Sequence, residues 1–134
     1  MTDKRTVRFA AVGLNHGHIY GQTNALLGAG AELACFFAKE PELAAQYHAA
    51  YPQAKLGTSV QAILEDESID LIITAGIPCE RAELGIAAMR HGKDFMSDKP
   101  GFTSLAQLEE ARRVQAETGR IYSIDFSERF ENRA

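Results

Sequence analysis

Apolar residues along this chain arrive in short blocks, separated by longer stretches where they recur every three or four positions. Val7 to Val12 is an almost uninterrupted apolar run, the pattern of a strand buried on both faces. Gly13 ends it. From Ile19 the spacing turns helical: Ile19, Thr23, Leu26 and Leu27 share one face of a helix that stops at Gly28 and Gly30. Leu33 to Phe37 is a second strand. Pro41 takes the first position of the next helix, which is striped by Leu43, Ala44, Tyr47 and Tyr51 and closed by Pro52. Ala54 to Leu56 is a short strand. Thr58 and Gln61 have the form of a capping box ahead of a short helix that buries Val60, Ile63 and Leu64.

The alternation continues to the end. Ile69 to Thr74 is a strand, and Ala82, Ile86 and Met89 carry the helix after it to Arg90, His91 and Gly92. Phe95 to Ser97 is another strand. Ser104 and Gln107 form a second capping box, opening a helix with Leu105, Leu108, Ala111 and Val114 inward as far as Gly119. Ile121 to Phe126 is a sixth strand. Strand and helix alternate throughout, which specifies an α/β fold: a Rossmann-type doubly wound parallel sheet of about six strands, in three layers with right-handed crossovers. Residues 1–126 make that domain. Phe126 and Phe130 share a face of a further helix, so 127–134 read as its start, leading to a C-terminal domain.

Composition narrows the function classes. A chain of 134 residues can bury a core without staples, and its net charge of -4 argues against nucleic acid as a main partner. No apolar run approaches the ~20 residues of a membrane span, and no signal-like apolar core follows the start M-T-D-K-R. The two cysteines, Cys35 and Cys79, make no disulfide framework, and a cytoplasmic location is expected.

The candidate chemistry starts at Gly13. A buried strand, a glycine turn and an amphipathic helix form the opening unit of a dinucleotide-binding sheet, where helix N–H groups face a pyrophosphate. Of the fingerprint G-x-G-x-x-G only Gly13 is kept; Asn15 and His18 hold the other two places, with Gly17 between them. Asn15 tolerates a left-handed backbone and is expected to make the turn. The loop alone leaves two readings open, a cofactor turn and a tight turn that binds nothing. His16 and His18 have no acidic or thiol partner in an adjacent motif, so they are assigned to the turn or the cofactor edge, and no metal is assigned.

At Asp98-Lys99-Pro100-Gly101 the chain resembles the N-terminal domain of the glucose–fructose oxidoreductase, inositol dehydrogenase and MocA family. That family carries E-K-P after its fifth strand, preceded by G-K-x-V; here G-K-D-F-M-S-D-K-P stands in that place. Thr74 to Pro78 resembles the family's loop after the fourth strand, and D-F-S-E-R-F from Asp125 resembles its G-F-N-R-R-F. The resemblance implies an NAD(P)-dependent oxidoreductase acting on a sugar, cyclitol or related polyol, homo-oligomeric, with substrate contacts in a second domain. It implies that Lys99 is catalytic, beside nicotinamide and substrate, and that Ala75, Ile77, Pro78, Asp98 and Pro100 edge the cofactor. Asp98 is one methylene shorter than the family's glutamate.

Three further expectations follow. The Lys99–Pro100 bond is expected to be cis, since the strand must turn sharply there. NADP is expected over NAD: Ala38 stands where NAD-preferring members place an acid for the ribose hydroxyls, and Lys39 offers an ammonium to a 2′-phosphate. Pro41 is expected to commit Glu40 to the helix start, away from the ribose. The rival reading is a non-catalytic Rossmann-like module that senses a nucleotide or serves interaction alone.

Overall fold

The computed structural model describes residues 6–125; the helix expected from Phe126 onward lies outside them. Strands β1 (Arg8–Val12), β2 (Glu32–Phe37), β3 (Lys55–Leu56), β4 (Leu71–Thr74), β5 (Asp94–Asp98) and β6 (Tyr122–Asp125) alternate with helices α1 (His18–Gly28), α2 (Pro41–Ala50), α3 (Val60–Glu65), α4 (Pro78–Arg90) and α5 (Leu105–Thr118). The strands form one six-stranded sheet in the order β3-β2-β1-β4-β5-β6, with every pairing parallel. This is the Rossmann-type doubly wound order. The winding reverses between β1 and β4, where Ala10 lies opposite Cys35 on one side and Ile72 on the other.

β1 is apolar on both faces because both are covered. One face packs with Ile19 of α1 and Tyr47 of α2; the other packs with Ile63 and Leu64 of α3 and Ala88 of α4. Helix α5 lies alongside α4. Some polar groups in the core are paired within it, although both amide atoms of the buried Gln22 find no partner among the described residues. Thr23 Oγ1 donates to the Ile19 carbonyl at 2.7 Å, so the Tyr47 hydroxyl, 2.7 Å away, is the donor to Thr23. Burial raises the Tyr47 pKa. At the amino end of β5 the buried Lys93 donates from Nζ to the carbonyls of Asp66 and Ile69, at 2.6 and 2.9 Å, tying the α3–β4 turn to β5.

Local details depart from the expectations at the helix starts. The α3 cap is Ser59, whose hydroxyl accepts from Ala62 N at 3.0 Å, and not Thr58. Gln61 is drawn forward instead, to Glu65 one turn on at 2.7 Å. Ser104 does cap α5, accepting from Gln107 N at 3.2 Å, while the Gln107 side chain reaches back to Thr103 N at 2.8 Å. Leu105 is 77% exposed and not inward, because the first residue after a cap precedes the buried stripe.

Glycine sets one packing distance. A Cβ on Gly85 of α4 would meet Phe95 Cδ2 of β5 at 2.6 Å and would overlap Tyr122 of β6. A Gly85→Ala variant is expected to lose about 1–3 kcal/mol to the overlap, less the roughly 1 kcal/mol that alanine recovers in a helix. Thermal unfolding measures it, and an unchanged midpoint would mean that α4 rides further from the sheet than described.

Candidate functional site

The site lies at the carboxyl ends of β1 and β4, where the winding reverses. Gly13 leaves β1 with φ 87°. Its N–H donates to the Phe37 carbonyl at 3.0 Å, and its carbonyl accepts from Ala75 N at 3.1 Å. A Cβ there would stand 2.8 Å from Thr74 Oγ1 and 2.9 Å from Gly76 Cα, so the two loops approach as closely as glycine allows. The left-handed residue of the turn is therefore Gly13 and not Asn15: among the described residues no side-chain-bearing one has positive φ. Gly17 has φ -61° and open space at its Cβ position, so nothing in the packing demands glycine there.

The start of α1 is the anion-binding element of this fold, and here it is capped from within. No acidic residue occupies its first turn. Instead His16 Nδ1 accepts from the His18 N–H at 3.0 Å. The loop is held behind by His16 N donating to the Ala75 carbonyl at 2.9 Å. Ala75 is wholly buried and reaches the site only through its backbone.

Beside Gly13 opens a cleft of about 470 Å³, mostly apolar, between the end of β2 and the start of α4. Ala38, Ile77 and Leu84 line it, and Lys39 and Glu40 stand on its rim. Its volume suits a ligand of nucleoside size. Lys39 Nζ lies 3.5 Å from Glu80 Oε1, both well exposed. Glu40 corrects an expectation: its main chain does begin α2, but its side chain makes no cap and turns back to accept from Asn15 Nδ2 at 2.9 Å. That hydrogen bond lowers the Glu40 pKa.

The other end of the site is built on Asp98, the last residue of β5. Its carboxylate is 4% exposed and places Oδ1 3.0 Å from His18 Nδ1 and Oδ2 3.9 Å from His16 Nδ1. The two imidazole rings lie 4.0 Å apart, centre to centre. Asp98 is thus the acidic partner that no adjacent motif supplied. Lys99 follows, exposed, and its bond to Pro100 is cis as expected.

One residue that organises this end was missed in the sequence. Arg81, in the first turn of α4, is 3% exposed. Its Nε donates to the Gly76 carbonyl at 2.9 Å, and its Nη1 to the carbonyls of Asp98 at 2.9 Å and Pro100 at 3.2 Å. Nη2 lies 3.9 Å from Asp98 Oδ2. The signal was available: Arg81 shares a helical face with Gly85, Ala88 and Met89, all buried, and a cation on such a face must be paired. Of the residues singled out in the sequence, Gly13, Asn15, Ala38, Lys39 and Ile77 line the cleft. His16, His18, Asp98 and Lys99 gather at the other end beyond Gly76, with Gly17 in the turn between the histidines, Pro100 held through its carbonyl and Pro78 opening α4.

Comparison with known proteins points the same way. An oxidoreductase family, described as having an NAD-binding Rossmann fold and comprising the glucose–fructose oxidoreductase, inositol dehydrogenase and MocA types, matches residues 7–126. A protein of Erwinia carotovora atroseptica, described as a candidate oxidoreductase, superposes with a TM-score of 0.90 at 43% identity, over 92% of this chain and 37% of that one. Biliverdin reductase of Synechocystis, in complex with biliverdin and NADP+, gives 0.83 at 21% identity, over 92% and 39%. Myo-inositol 2-dehydrogenase of Lactobacillus plantarum gives 0.81 at 18%, over 96% and 38%. The last two show the fold. The chain spans less than two fifths of each of these neighbours. No curated protein matches it.

Replacing Arg81 by methionine keeps the bulk but removes every donor to the three carbonyls. The expected loss is roughly 2–4 kcal/mol, the cost of leaving buried carbonyl acceptors unpaired and of removing the cation that faces the buried Asp98 carboxylate. Urea denaturation would read it, and a variant as stable as the parent would show that solvent satisfies those carbonyls.

Proposed function

We propose a function from one premise: the chain belongs to the oxidoreductase family of glucose–fructose oxidoreductase, inositol dehydrogenase and MocA, through its NAD-binding Rossmann fold. On this reading the chain is the dinucleotide-binding part of a cytoplasmic, homo-oligomeric NAD(P)-dependent enzyme that oxidises or reduces a sugar, cyclitol or related polyol. A second domain supplies most substrate contacts, and the chain alone turns over nothing.

The observation that carries this reading is the placement of Lys99. It stands at the carboxyl end of β5, with the carbonyls on either side of it, those of Asp98 and Pro100, both held by Arg81. An ammonium fixed there can hold a substrate oxygen and stabilise the negative charge it gains as a carbonyl forms or is reduced. The residues present fit a dinucleotide. The cleft takes the adenosine half, Gly13 lets the chain approach the pyrophosphate, and His16, Gly17 and His18 edge the phosphates at the start of α1. When bound, the cofactor would accept the hydride in oxidation or donate it in reduction. The chain's own residues bind it, orient it and present Lys99.

NADP is the cofactor proposed, on the lack of an acid at Ala38; the Glu40 carboxylate, which also stands on the rim, is engaged by Asn15 Nδ2. Ala38 offers no carboxylate to the ribose, and the Lys39–Glu80 pair is exposed enough to exchange for a 2′-phosphate at little cost. One observation favours a second reading, a nucleotide-sensing module without catalysis: Asn15 and Glu40 are joined across the loop where the second fingerprint glycine would admit a phosphate.

Calorimetric titration with NADPH and NADH tests the cofactor reading. NADPH is expected to bind roughly ten- to a hundred-fold more tightly, the preference falling toward unity in Lys39→Ala. Equal affinities, or a preference that survives Lys39→Ala, would overturn the NADP reading. In the full-length enzyme Lys99→Ala is expected to lower the rate by roughly 10²–10³ with cofactor affinity unchanged. An unchanged rate would overturn the role given to Lys99, whereas nucleotide binding with no turnover by the full-length protein would leave the sensing module.

A further inference from the structure

We propose that His16, His18 and Asp98 form a binding site for a divalent transition metal of the zinc, cobalt and nickel class. The sequence separates the donors widely, and the fold brings them together: candidate ligand atoms of all three lie within 4.8 Å of one another. Asp98 Oδ1 is 3.0 Å from His18 Nδ1, and Oδ2 is 3.9 Å from His16 Nδ1. A tetrahedral ion with bonds of about 2.0–2.2 Å holds its ligand atoms about 3.3–3.5 Å apart. The observed carboxylate–imidazole spacings bracket that value. Closing the cluster on an ion takes movements of about an ångström, and the two imidazoles are free to make them. Their side chains are 54% and 46% exposed, whereas the Asp98 carboxylate is fixed at 4%.

The donor chemistry selects the ion. Two imidazoles and one carboxylate suit borderline divalent metals, while magnesium and calcium prefer an all-oxygen shell. Three protein ligands leave at least one position open, facing the exposed side of the histidines. The proton positions are compatible. His16 Nδ1 accepts from an N–H, so it already carries a lone pair. His18 Nδ1 faces the carboxylate and holds its proton there when no ion is bound. Binding moves that proton to Nε2, a change of tautomer and not a loss of charge balance. Arg81 is the opposing cation, with Nη2 3.9 Å from Asp98 Oδ2. Its hydrogen bonds are directed at backbone carbonyls, so Oδ1 is left to His18, while Oδ2 lies between Arg81 and His16.

This inference does not depend on dinucleotide binding, and its test omits nucleotide. The tag-free chain is titrated with Co²⁺, read by its visible absorption, and with Zn²⁺, read by calorimetry. One equivalent of each is expected to bind. His16→Ala and His18→Ala, both at exposed positions, are each expected to weaken binding by at least roughly 10–100-fold. His48→Ala and His91→Ala, at the two other histidines, are expected to change nothing. Circular dichroism confirms that each variant is folded. Absence of stoichiometric binding by the parent, or affinity that survives the double change His16→Ala with His18→Ala, overturns the site. A chain that binds cobalt but neither NADPH nor NADH would uphold it while sinking the dinucleotide reading.

Discussion

One buried guanidinium holds the functional end of the sheet in shape. Arg81 enters from the first turn of α4 beneath the crevice, where desolvating a cation is costly unless every donor finds an oxygen. It finds them in the carbonyls of Gly76, Asp98 and Pro100. Those three residues belong to the two chain segments that shape the site. Holding Gly76 fixes the β4–α4 loop against Gly13, which sets how near a ligand can come to the backbone. Holding Asp98 and Pro100 fixes the chain on both sides of Lys99. The Asp98 carboxylate, with one oxygen toward Arg81 and the other on His18, is oriented by the same arrangement.

The architecture was legible because its signal is local and repeated. Strands buried on both faces show as apolar runs, helices buried on one face show as stripes, and their alternation leaves one topology. Where the reading failed, local cues were degenerate. Thr58 and Ser59 are adjacent hydroxyls and either satisfies a capping pattern; Gln61 favoured neither, being drawn to Glu65. Asn15 was a plausible bearer of the left-handed turn, but the close approach of Thr74 and Gly76 places that conformation on Gly13. Glu40 sits at the helix start, yet a free carboxylate facing the Asn15 amide takes the charge-assisted bond in preference to a cap. The site was legible only as separate pieces. The contacts of Asp98 with His16 and His18 join positions far apart in sequence, and no spacing rule reports them.

Two of the departures from the family pattern, His18 and Asp98, meet in space. His18 stands in the place of the third fingerprint glycine, and Asp98 in the place of the glutamate beside the family's lysine. The structure puts them in hydrogen-bonding contact at 3.0 Å. A shorter acid fits because a larger residue has come forward to meet it. Each change alone would be costly, since an aspartate buried without the imidazole would face Arg81 alone, and an imidazole without the acid would crowd the loop with no compensating bond.

His16 links this cluster to the anion-binding element. Its Nδ1 has a single lone pair, and in the present arrangement that pair is given to the His18 N–H. So long as it is, the first donor of α1 is spent and less of the helix's positive end faces the crevice. A phosphate that took the His18 N–H would have to break this bond, a penalty absent from a glycine loop. A metal ion on the cluster would take the same lone pair and turn the ring away, releasing the His18 N–H toward the crevice. The ion would also bring positive charge to a loop that now carries the Glu40 carboxylate on Asn15. Ion and anion would then favour one another through one shared imidazole: the ring cannot serve the helix and the metal at once, and either ligand lowers the cost of admitting the other.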